Sequence, residues 1–136
     1  MKVMLDENTK MPTRAHEDDA GLDIYSREEK WVAKGSFATF NTGLHVAIPR
    51  GYTGFLKSKS GLNVKYGIVS EGVIDSGYTG SIIVKLYNHG DRHCLIKVGD
   101  KISQLVLLPI ITPELELVDS LEETDRGNNG FGSTGR

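Results

Sequence analysis

The 136-residue sequence holds one cysteine, Cys94, so no disulfide can form within a chain. A lone thiol fits a reducing, cytoplasmic home, as does a first segment without the pattern of a signal peptide. No apolar run is long enough to cross a bilayer as a helix, so no membrane association is expected. Nor is there an excess of one charge: 16 Lys and Arg stand against 18 Asp and Glu, a net −2. That balance excludes a protein whose main task is coating nucleic acid or an anionic membrane, although local basic clusters can still grip a small anion. Internal repeats are absent, as is any linker before residue 120. Helical periodicity is nearly absent too. What remains is one domain with enough apolar residues for a core.

Short apolar segments fill that space. Phe37–Ile48 reads as two strands around an Asn41-Thr42-Gly43 turn, and Pro49 with Gly51 predicts a further β-turn. Thr53–Ser58, Ser81–Asn88, Cys94–Val98 and Ile102–Ile111 continue the series, punctuated by His89-Gly90-Asp91 and Gly99-Asp100-Lys101. Leu115–Val118 is expected as a last strand after Pro113, and only Gly61–Tyr66 suits a helical turn. Many short strands between turns imply an all-β sandwich, jelly roll or distorted barrel. Ile102–Ile111 is almost continuously apolar. It is either a central strand or one whose second face is covered by another subunit.

Three segments carry groups able to do chemistry. Glu71–Ser81, "EGVIDSGYTGS", reads as a hairpin in which Val73 and Ile74 lead in, Asp75-Ser76-Gly77 turn, and Ile82–Val84 lead out. Asp75 is then either a turn-forming aspartate or a functional carboxylate, and Tyr78 either a strand aromatic or part of a site. Leu56–Asn63, "LKSKSGLN", alternates Lys57 and Lys59 with Ser58 and Ser60 before Gly61. Cations, hydroxyls and an approachable backbone are what phosphate oxygens require, though an exposed strand face looks the same. Asp18–Ser26 places Asp23 after a glycine at a strand start, where a cap or turn role competes with function. His89 and His93 are four apart, but Gly90-Asp91 makes this a turn, so no zinc site is expected. No Ser-His-Asp triad or Walker loop is present. The chain ends "DRGNNGFGSTGR", glycine-rich and unable to bury much surface, yet carrying Phe131. An aromatic ring there suits a flap closing over a flat ligand.

Taken in order, "AGLDIYS", "KSKSGL", "GVIDSGYTG", "GDKISQL" and "RGNNGFGSTG" resemble the five motifs of the homotrimeric deoxyuridine triphosphatase (dUTPase) family. They span residues 20 to 135, and the third and fifth are the specific ones. The resemblance implies a distorted jelly-roll or β-clip barrel, a homotrimer with active sites at the subunit boundaries, and hydrolysis of dUTP to dUMP and pyrophosphate with Mg²⁺. Such an activity keeps uracil out of DNA and supplies dUMP for dTMP synthesis. Residues 1–120 would form the β domain and residues 121–136 a flexible lid.

The resemblance also implies roles. Asp75 would hold and polarise the attacking water. Backbone groups of Gly72, Val73 and Ile74 would pair with the uracil edge and leave no room for a C5 methyl. Tyr78 would pack under the deoxyribose and reject a 2′-hydroxyl. Lys59, Ser60, Gly61 and Gln104 would meet phosphate oxygens, with Asp23 reaching Mg²⁺ only through water. From the tail, Arg126 would clamp the γ-phosphate with Ser133 and Thr134, Phe131 would stack on uracil, and Gly132 would also bind substrate.

Departures from the family pattern are Lys59 where arginine is usual, Gly77 where an acid is common, and Asn129 where glycine is common. The Lys59–Gly72 segment is also short. A lysine cannot make the bidentate fork of a guanidinium. Two other readings stand beside this one. A related deoxycytidine triphosphate deaminase would need an acid where Thr79 stands. A regulatory protein could keep the nucleotide site and act by binding a protein partner.

Overall fold

The computed structural model describes residues 1–130. Ten strands and one helix follow one another as β1 (Lys2–Leu5), β2 (Gly21–Tyr25), β3 (Lys30–Val32), β4 (Phe37–Asn41), β5 (Leu44–Ala47), β6 (Tyr52–Lys57), α1 (Ser60–Tyr66), β7 (Ile68–Ile74), β8 (Ile83–Asn88), β9 (Cys94–Ile96) and β10 (Lys101–Pro109). Six of them form one sheet in the order β2-β10-β6-β7-β8-β4, and the pairs β1-β5 and β3-β9 complete an all-β, distorted jelly roll. Every pairing is antiparallel. Among the described residues, no helix is long and apolar enough to cross a membrane.

The period-2 pattern explains the core. In β8, Val84, Leu86 and Asn88 turn inward while Ile83, Lys85 and Tyr87 face outward or sit half-buried. Phe40, Leu44, Val46, Leu56, Ile68, Ile82, Ile96, Ile102 and Leu105 meet them in one cluster. Asn88 is the polar member. Its side-chain amide donates to Val32 O and Arg92 O, and its carbonyl accepts from the Gly90 N–H, so nothing polar is left unpaired.

Several expectations are revised. The two strands of Phe37–Ile48 exist but do not pair with each other: β4 lies on β8, and β5 on β1. Gly43 makes the parting possible. Its φ is +69°, and a Cβ there would stand 2.1 Å from Thr9 Oγ1. The turn after Ile48 is set one residue later than expected, with Pro49 O accepting from Tyr52 N–H. Leu115–Val118 is no strand: Leu115 and Leu117 are 97% and 99% exposed, and among the described residues no strand pairs with them. Ile102–Ile111 proves central over its first half, where β10 lies between β2 and β6. Its end is open, with Leu108, Ile110 and Ile111 exposed. The helix falls where a helical turn was expected, starting at Ser60.

Candidate active site

At one end of the large sheet, Asp23, Gln104 and Lys57 stand opposite one another on β2, β10 and β6, with Glu71 of β7 beyond them. Directly opposed residues share a face, so the row collects polar groups at one level. Asp23 is buried, and each of its oxygens is held by an ammonium group: Lys59 Nζ on Oδ1, and Lys101 Nζ at 2.7 Å on Oδ2. Burial alone would raise the carboxyl pKa. Hydrogen bonds from Lys101 and Lys59 outweigh it and hold the pKa below its ordinary value. Lys57 pairs with Glu71 at 2.9 Å on the exposed side.

Behind this row, three serines fix the loop that carries Lys59 and Ser60. Ser58 Oγ accepts from Ser70 N–H at 3.0 Å. Ser70 and Ser103 share a buried 2.6 Å bond between hydroxyls, and Gln104 Nε2 donates to Ser58 O at 3.0 Å. Gly21 is needed for space: a Cβ there would lie 2.3 Å from Gln104 Oε1. Ser60 and Gly61 open α1 with exposed backbone, where first-turn N–H groups lack helical partners. Among the described residues, and apart from its own neighbours and helix backbone, nothing stands within 4 Å of where a Gly61 Cβ would be, so the fold itself does not demand that glycine.

The second cluster lies at the other end of β7. Gly72, Val73 and Ile74 pair with Leu56, Phe55 and Gly54 of β6. Asp75 follows, exposed, and its carbonyl accepts from Tyr78 N–H at 3.0 Å. Tyr78 Oη donates to Ser81 O at 2.9 Å, which tethers the outer end of the ring. Val73, Ile74, Asp75, Tyr78 and Ile83 line a depression of about 220 Å³, with one carboxylate in an otherwise apolar and aromatic rim. The expected hairpin is wider than a tight turn. β7 and β8 pair only over Ile68–Ser70 and Leu86–Asn88, then diverge, β7 to β6 and β8 to β4. That divergence opens the depression.

Asp75, Tyr78, Val73 and Ile74 are therefore brought together, and so are Lys59, Asp23 and Gln104, with Ser60 and Gly61 beside them. The two groups are not brought to each other. Lys57 stands opposite Glu71 and Gly54 opposite Ile74, which puts Asp75 level with Thr53. Ser58 is five residues further along the strand, about 16 Å away at 3.3 Å per residue. Arg126 is exposed in a turn of its own, its Nε donating to Asn129 O. Phe131, Gly132, Ser133 and Thr134 lie outside the described residues. His93 Nδ1 accepts from Lys34 N–H, and His89 stacks on Tyr87.

Sequence reasoning missed Lys101, Ser70, Ser103 and Ile83 as members of these clusters. Ser103 carried a signal, being a hydroxyl inside an apolar strand. Lys101 carried none, because a lysine opening a strand reads as a solvated charge.

Comparison with known proteins places the whole chain in a family. The dUTPase family model matches residues 7–135. The deoxyuridine 5'-triphosphate nucleotidohydrolase of Clostridium tetani is 39% identical, covering 98% of this chain and 94% of its own. That of Solanum lycopersicum is 45% identical, over 96% of this chain and 78% of its own. Among solved structures, a mutant dUTPase of Staphylococcus bacteriophage 80alpha with dUpNHpp superimposes with a TM-score of 0.92 at 33% identity, over 99% and 98% of the two chains. A mutant dUTPase from phage phi11 of S. aureus, described with a structural Mg(II) ion, gives 0.82 at 35% identity, over 90% and 98%. With the family model matching residues 7–135 and the Clostridium relative covered almost end to end, this chain belongs to the dUTPase family.

Proposed function

We infer that the protein hydrolyses dUTP to dUMP and pyrophosphate, at sites completed between copies of the chain in a homotrimer. One observation carries the reading. Within a chain the depression beside Asp75 and the cationic cluster around Asp23 lie about 16 Å apart along β6 and β7. The first suits a nucleoside and the second its phosphates, and a second subunit would bring one against the other. The open end of β10 and the exposed apolar residues from Ile111 to Leu121 supply surface for that assembly.

Deoxyuridine would lie in the depression, its sugar against Tyr78 and its base edge along the backbone of Gly72–Ile74. A ring held by its own hydrogen bond does not retreat, so a 2′-hydroxyl is excluded. Backbone donors and acceptors that do not match cytosine would stay buried and unpaired, which penalises the wrong base more than a missing contact would. Asp75 orients a water toward the α-phosphate and accepts its proton, with positioning contributing as much as basicity. Lys59, Ser60, the Gly61 amide and Gln104 of a neighbouring chain meet the phosphate oxygens. Breaking the bond between the α-phosphorus and its bridging oxygen releases pyrophosphate. Arg126, Phe131, Gly132, Ser133 and Thr134 would close over the nucleotide, making residues 121–136 a lid on the β domain of residues 1–120.

The residues present fit a Mg²⁺ that arrives chelated by the triphosphate. A single carboxylate whose oxygens already hold Lys59 and Lys101 would not bind the bare ion, but it can accept a hydrogen bond from water in the metal's shell. When bound, the ion neutralises phosphate charge. The deaminase reading is not favoured, since Thr79 is no acid and its carbonyl is already engaged by His45. A cytoplasmic site of action accords with the single, buried, free Cys94. The test is product analysis with dUTP, dTTP, dCTP and UTP and Mg²⁺: pyrophosphate from dUTP alone is expected. Inorganic phosphate, or ammonia from dCTP, would overturn the reading.

A further inference from the structure

The segment from Ser76 to Gly80 bridges two diverging strands, so something must hold it to the body of the domain. Tyr78 N–H closes a turn on Asp75 O, and Ser81 Oγ accepts from Gly43 N–H at 3.0 Å and donates to Asn41 Oδ1 at 2.6 Å. Between those two ends, among the described residues, the bond from the segment to another strand is made by Thr79, next to Tyr78. Thr79 O stands 2.8 Å from Nδ1 of His45 on β5. The other ring nitrogen, Nε2, stands 3.1 Å from Asp6 Oδ1. The ring is largely enclosed, with 17% of its side-chain surface exposed.

A carbonyl oxygen accepts hydrogen bonds and cannot donate, and the same holds for an ionised carboxylate. His45 thus faces an acceptor at both nitrogens. Either neutral tautomer satisfies one and turns a lone pair toward the other. Only the imidazolium donates to both. The surroundings keep the acceptors in place. Arg27 holds the second Asp6 oxygen at 3.4 Å and donates from Nε to Asn41 O, while the Asp6 N–H donates to Gly43 O. The remaining charged group at this spot is Lys2 of β1, which lines the same small depression. Met4, opposite His45 in register, is apolar.

We propose that His45, as the imidazolium, is a positioning residue that straps the middle of the Ser76–Gly80 segment to the domain and couples nucleoside binding to pH. It touches neither substrate nor water in the reaction and acts through the Thr79 carbonyl on Tyr78 and Asp75. Loss of its proton removes one of two bonds, loosens the segment, and weakens binding of the nucleoside. The inference rests on the dUTP reading of the same site.

The test combines kinetics and ring spectroscopy on the full chain. KM for dUTP is measured against pH for the parent protein and for His45→Gln, which donates to one acceptor at most and does not titrate. Long-range ¹H–¹⁵N spectra follow the His45 ring over the same range. The parent KM should rise about three- to tenfold, the scale of one hydrogen bond, as the ring loses its proton, with kcat changing less. His45→Gln should show the raised KM throughout, without that step. A ring already neutral where KM is lowest would overturn the proposal, as would the same step in His45→Gln. Should the variant fail to fold, the ring spectrum and KM of the parent still decide. A parent that does not hydrolyse dUTP would contradict the functional reading alone, and the ring's protonation would still settle whether His45 is the double donor.

Discussion

Replacing Asp23 by Asn perturbs the charge balance beneath the phosphate-binding row. The carboxylate is buried and holds two ammonium groups, while Lys59 and Lys101 keep 25% and 43% of their side-chain surface in water. An asparagine offers one lysine a carbonyl oxygen and turns its NH₂ toward the other, leaving two cations with one acceptor. Removing one partner of a fully buried ion pair costs about 3–5 kcal/mol. Screening of the partly exposed lysines brings the expected loss to about 2–3 kcal/mol. For a chain of this size that lowers Tm by roughly 10 °C at fixed protein concentration. The pH dependence gives the sign. Burial raises the Asp23 pKa, the lysine bonds lower it further, and the net value lies below 3.8. A depressed carboxylate contributes stability that is present above its unfolded pKa and lost as pH falls through the folded one. The gap between parent and Asp23→Asn, followed by denaturant unfolding, should be full at pH 7 and close below about pH 3.8. Equal stabilities at pH 7, or a gap that persists in acid, would refute the reasoning.

Other substitutions address the remaining parts. Asp75→Asn should cut turnover by on the order of 10²–10⁴ while dUTP still binds, as read by steady-state rates and calorimetry. Tyr78→Ala should relax discrimination between dUTP and UTP, and an unchanged ratio of kcat/KM would mean the ring does not police the sugar. Lys59→Arg should leave activity similar or modestly higher; its collapse would show a site rebuilt around an ammonium group. A chain ending before Arg126 should fold and assemble normally yet turn over dUTP poorly, since base–aromatic stacking alone is worth about 1–3 kcal/mol.

Local chemistry was legible in the sequence, and pairing was not. Alternation in Ile82–Asn88 and the turn residues after Ile48 mark strands because burial and turn geometry are local demands. The carboxylate, lysines, serines and glycines of the motifs could be named for the same reason. Which strands meet is decided by packing far along the chain. That is why Phe37–Ile48 looks like a hairpin yet sends β4 to β8 and β5 to β1. Lys101 became visible only when β10 was laid on β2, and Ile83 only when β7 and β8 diverged. The Leu115–Val118 reading failed for a related reason, because strand-like composition forms a strand only where a partner edge is available.

The central claim is that the two halves of each site come from different subunits. The direct measurement pairs two inactive chains, Asp75→Asn and Ser60→Asp. The first lacks the carboxylate at the water, and the second sets a negative charge on the exposed start of α1 against the phosphates. Each is assayed alone, then both are unfolded and refolded together in equal amounts, with mixed trimers verified by mass. If carboxylate and phosphate cluster come from different chains, each is intact with probability about one half, and about a quarter of the sites regain both. Recovery of about a quarter of the parental activity is the predicted result. Mixed trimers that stay inactive would contradict the account, placing Asp75 and the phosphate cluster of each site on the same chain.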